Sequence, residues 1–63
     1  MDRLEAFERM LESVKAQFDQ ESEAMEQLRA AGMEKSATYR QLFSNRMVHK
    51  AMLDMYREYG LVD

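Results

Sequence analysis

Leu28-Arg29-Ala30-Ala31-Gly32-Met33-Glu34-Lys35-Ser36-Ala37-Thr38-Tyr39 is the stretch on which the fold turns. Upstream of it, Asp2 to Ala31 holds no proline or glycine and is dominated by Ala, Leu, Met, Glu, Gln, Arg and Lys, so summed propensity predicts one long helix. Asp2 suits its N-cap, with Glu5 placed to reach back as in a capping box. Gly32 suits the left-handed position just past a helix end, which makes Leu28 the C3 residue and Met33 the apolar C″ residue expected to touch it. Ser36 then opens a second helix as N-cap, while Thr38 to Gln41 offers a competing capping box two residues later, and the sequence leaves both starts open. That helix runs unbroken to Tyr59, where Gly60 and Leu61 repeat the stop signal with Tyr56 as the C3 contact.

The fold class expected is therefore all-α: a single-domain antiparallel helical hairpin, with one helix over about 3–31, a turn over about 32–36 and a second helix over about 37–59. A chain of 63 residues with two glycines and no proline has little turn chemistry for a sheet, and without cysteine it has no disulfide framework and no thiolate metal site. Cysteine-free composition points to a reducing, cytoplasmic location. No apolar run is long enough to span a bilayer, and the start Met1-Asp2-Arg3-Leu4-Glu5 lacks the basic-then-apolar order of a signal peptide.

In the first helix Leu4, Phe7, Leu11, Val14, Phe18, Met25 and Leu28 follow an alternating three-four spacing, broken only where Glu21 takes an apolar slot. In the second, Tyr39, Leu42, Arg46, His49, Leu53 and Tyr56 make one such stripe. Val48, Met52, Met55 and Tyr59 make another on the far side, with Phe43 and Met47 along a flank. With the turn near Glu34, residues whose numbers sum to about 68 lie at one height. Leu28 then meets Tyr39, Met25 meets Phe43, Val14 meets Leu53 or Asp54, Leu11 meets Tyr56, and Glu21 lies beside Arg46 and Met47. The Tyr39–Tyr56 stripe is accordingly the internal seam, with Glu21 and Arg46 as a charge pair that sets register more than it stabilises.

A helix apolar over most of its circumference needs cover over most of it, and one hairpin partner cannot supply that. A helix of roughly 30 residues is about 45 Å long, whereas a compact chain of this length has a radius of gyration near 11 Å. A lone hairpin is thus marginal. The expected interface is Val48, Met52, Met55 and Tyr59, and the expected partner is a second copy, giving a homodimeric four-helix bundle. A heterologous protein helix in the same groove is the rival, since Met-rich surfaces adapt to varied ligands.

Charge divides unevenly. Residues 1–28 carry eight acids against three bases, and residues 29–63 carry six bases against four acids. The segment from Lys35 to Lys50 contains no acid, so Lys35, Arg40, Arg46 and Lys50, interleaved with Tyr39 and Phe43, are the candidate contacts if the chain is instead a nucleic-acid-associated regulator. The acidic total of −3 and pI near 5.1 argue against that reading. Catalytic, cofactor and metal residues are not assigned: there is one His, no phosphate-binding Gly-rich loop, and no Ser, His and acid arrangement by spacing. A bundle di-metal site needs Glu-x-x-His, and Arg46 stands where that Glu would precede His49. The acidic polar face of the first helix has the wrong sign for an anionic membrane. The function expected is a non-catalytic protein-interaction or regulatory module.

Overall fold

Two polar side chains start the helices and two glycines end them. In the computed structural model, which describes residues 2–62, α1 spans Arg3–Ala30 and α2 spans Ala37–Glu58. The Asp2 carboxylate accepts from the Glu5 N–H at 2.7 Å, and Ser36 Oγ accepts from the Tyr39 N–H at 3.1 Å, so Ser36 rather than Thr38 caps α2. Glu5 does not close a capping box; its carboxylate accepts instead from Arg9, a charged donor one turn on, at 3.3 Å.

Both C-termini close alike. Gly32 stands at φ +73°, which lets the Met33 N–H donate to the Leu28 carbonyl at 2.8 Å and the Gly32 N–H to the Arg29 carbonyl at 3.0 Å. Gly60, also at φ +73°, repeats this with Leu61 to Tyr56 at 2.9 Å and Gly60 to Arg57 at 3.0 Å. These paired bonds satisfy carbonyls that the helix itself leaves open, and only glycine adopts the required backbone without a Cβ penalty.

The two helices pack antiparallel along the stripes that periodicity marks. Tyr39, Leu42, Arg46, His49, Leu53 and Tyr56 are all largely shielded, as are Phe7, Leu11, Val14, Phe18, Met25 and Leu28 of α1. Val14, Met25 and Leu53 are the deepest. Tyr56 meets Phe7 edge-on, with ring centroids 5.6 Å apart, one turn beyond the expected Leu11. Two seam expectations need correction. Leu4 is exposed, because three residues outward from the Phe7–Tyr56 contact α2 has already ended. Phe43 is exposed rather than packed on Met25; Leu42 takes the inward position, and the next residue points about 100° further round the helix.

The hairpin measures 44 × 24 × 16 Å, with a radius of gyration of 13.9 Å. Its surface of 5078 Å² exceeds by roughly 800 Å² what size scaling gives a compact chain of 7.5 kDa.

Candidate interaction surface

The middle of the seam is polar. His49 Nδ1 lies 2.7 Å from Glu21 Oε1, with 18% and 13% of the two side chains exposed. A carboxylate can only accept, so the bond places the proton on Nδ1. One turn toward the loop, Arg46 Nε donates to Ser22 Oγ at 2.7 Å, and the Ser22 hydroxyl donates onward to the Phe18 carbonyl at 2.8 Å. The Arg46 guanidinium also lies over the Phe18 ring, 4.6 Å from its centroid. No buried side-chain nitrogen or oxygen among the described residues lacks a partner. The fully buried polar atoms of the inner face of α2 are thus matched within one chain.

This arrangement corrects the expected Glu21–Arg46 pair. Glu21 selects His49 and Arg46 selects Ser22, because rotation around α2 decides which side chain meets Glu21. Their residue numbers sum to 70 and 68, so height alone does not distinguish the two partners. Ser22 is the seam hydrogen-bond partner that sequence reading missed. Its signal is a small hydroxyl residue next to the one polar break in an apolar seam.

The outer face of α2 is the reverse. Val48, Met55 and Tyr59 are 60%, 59% and 76% exposed, and Met52 is partly shielded because it lies between this face and the seam. At about 100° per residue, Ala37, Gln41, Ser44, Val48, Ala51, Met52, Met55 and Tyr59 project to one side, and none of them carries a charge. In a chain with 33% charged residues, a charge-free strip along the whole of α2 needs a reason. Phe43 and Met47 are also exposed, but they stand among Arg40, Lys50 and Asp54 and form no continuous strip.

Of the four cations proposed for nucleic acid, Arg46 points into the seam and Lys50 donates to Asp54 at 2.9 Å, whereas Lys35 in the turn and Arg40 on α2 are exposed. Asp54 also accepts from Arg57 at 3.2 Å. The Lys50 hydrogen bond holds the Asp54 carboxyl below its ordinary value; desolvation opposes it, and the charges of Lys50 and Arg57 add smaller lowering effects. Among the described residues no group of three or more His, Asp or Glu side chains converges on a metal-sized space, and no helix is long and apolar enough to cross a membrane. Neither a scan against protein-family models nor searches of curated proteins and of solved structures returned a match.

Proposed function

We propose that this chain is a small, non-catalytic helical interaction or regulatory module that acts as a homodimer through the outer face of α2. The observation that carries this reading is the charge-free, exposed strip centred on Val48 and Met55. Two magnitudes support it. The surplus surface of roughly 800 Å² equals the share that each partner contributes to an interface of standard size. The radius of gyration of 13.9 Å is also close to the ~14 Å expected of a compact body with twice as many residues.

Burying Met55 or Val48 against a second copy gains on the order of 1.5–3 kcal/mol per side chain, twice over by symmetry. A carboxylate at either position instead places two charges in a desolvated contact. Gel filtration with light scattering on the unmodified chain at tens of micromolar is expected to give a dimer, and Met55→Asp is expected to give a helical monomer. A folded, unmodified monomer at that concentration overturns the homodimer. Dimers that survive both Met55→Asp and Val48→Asp move the interface elsewhere.

A further inference from the structure

The strip on α2 is uneven along its length. Its N-terminal half is Ala37, Gln41 and Ser44, and its C-terminal half is Met52, Met55 and Tyr59. Two such strips laid parallel would set bulk on bulk at one end and small on small at the other, leaving a gap that cannot close. Laid antiparallel, they set small against large at both ends, the arrangement that fills space. Charge selects the same orientation. Among the described residues, Lys50 and Arg57 both donate to Asp54, Arg46 bonds to Ser22, and His49 bonds to Glu21. Arg40 and Glu58 are the two charged side chains of α2 with no hydrogen-bond or ion-pair partner among those residues, and both are exposed. They lie five turns apart on the same edge of the charge-free strip.

Resting on the homodimer reading, we infer that two copies dock α2 against α2 antiparallel about a two-fold axis level with the stretch from Val48 to Met52, with Arg40 of each copy facing Glu58 of the other. On an antiparallel pair the same edge of each helix meets, and residues at one height have numbers that sum to a constant. For Arg40 and Glu58 that constant brings Ser44 opposite Met52 and Met55, and Ala37 with Gln41 opposite Tyr59. Small residues at Ala37, Ser44 and Ala51 also let the two backbones approach closely. The two ion pairs sit at the rim, where they set orientation more than affinity. A parallel dimer would instead put the two Arg40 side chains on opposite flanks at one end and the two Glu58 side chains on opposite flanks at the other, so neither would meet an opposite charge.

The chain has no cysteine, so introduced thiols report geometry without background. Under mild oxidation Ser44→Cys and Met55→Cys are each expected to stay unlinked alone, since each is about 15–18 Å from its own copy along the antiparallel pair. Mixed, they are expected to form a Ser44→Cys to Met55→Cys disulfide. If each variant links to itself and the mixture gives no additional species, docking is parallel and the inference falls while the homodimer stands. If none links in a chain that light scattering shows to be dimeric, α2 is not the docking helix. A monomeric unmodified chain removes the homodimer itself. As a second readout, Arg40→Glu and Glu58→Arg are each expected to weaken the dimer about tenfold at low salt. The double variant is expected to restore it; single changes without effect, or no restoration, overturn the Arg40–Glu58 pairing.

Discussion

The two faces of α2 invert the usual amphipathic rule. The face turned toward α1 holds a guanidinium and an imidazole, whereas the exposed strip through Val48 and Met55 holds no charge over the length of the helix. The inner polar groups are tolerable because each is matched within the chain: His49 by Glu21, Arg46 by Ser22 and by the Phe18 ring. Burial there is finished. The outer strip carries Gln41, Ser44 and the Tyr59 hydroxyl but no charge, and no neighbour within the chain shields Val48, Met55 and Tyr59, so the apolar area left exposed is concentrated there. Polarity alone does not mark a surface; unmatched apolar area does.

The comparison breaks most sharply at Leu53. Its removal to Ala on the inner face is expected to cost about 2–5 kcal/mol, much of the ~3–9 kcal/mol available to a chain of this size. Circular dichroism should then show a large drop in melting temperature or loss of a cooperative transition. Met55→Ala on the outer face, by contrast, should act mainly through the concentration dependence of melting. Equal, concentration-independent losses at both positions would erase the distinction between the faces.

The polar centre gives a smaller effect. Glu21→Leu or His49→Leu alone leaves one polar partner shielded and unmatched, and each is expected to cost about 1–3 kcal/mol. The double change to Leu should return most of that loss, since well-packed apolar side chains replace such a pair at little net cost. A chemical-denaturation cycle measures the coupling. The exchange Glu21→Arg with Arg46→Glu should recover nothing, because those side chains pair with His49 and Ser22.

The smallest effect belongs to the solvent edge of α2. Asp54 has a lowered carboxyl value, so its contribution to folding is present at neutral pH and is lost as pH falls below the ordinary ~3.9 through that lowered value. Asp54→Asn should therefore lower helix stability slightly at pH 7, with the difference from the unmodified chain closing in acid. A difference that persists in strong acid would assign the effect to packing or capping rather than charge.

How much of this was legible in the chain varies with the range of the physics. The two stops at Gly32 and Gly60, with Met33 folding back on Leu28 and Leu61 on Tyr56, follow from local backbone geometry, and the structure has the same bonds. The seam stripe from Tyr39 to Tyr56 was likewise readable, because helical period assigns residues to faces without knowledge of the partner. Leu4 and Phe43 were misplaced for opposite reasons. One is set by where the neighbouring helix ends, and the other by a rotation of a single residue.

The amino-acid sequence by itself determined two helices, their glycine stops, their turn and which stripe of each is greasy, since these depend on interactions within a few residues; it left the α2 cap open between Ser36 and Thr38. Only the packed hairpin decided that Glu21 takes His49 while Arg46 takes Ser22. Long side chains span more than one turn, so several partners stand within reach at one height, and the choice falls to the rotation of two rods in contact.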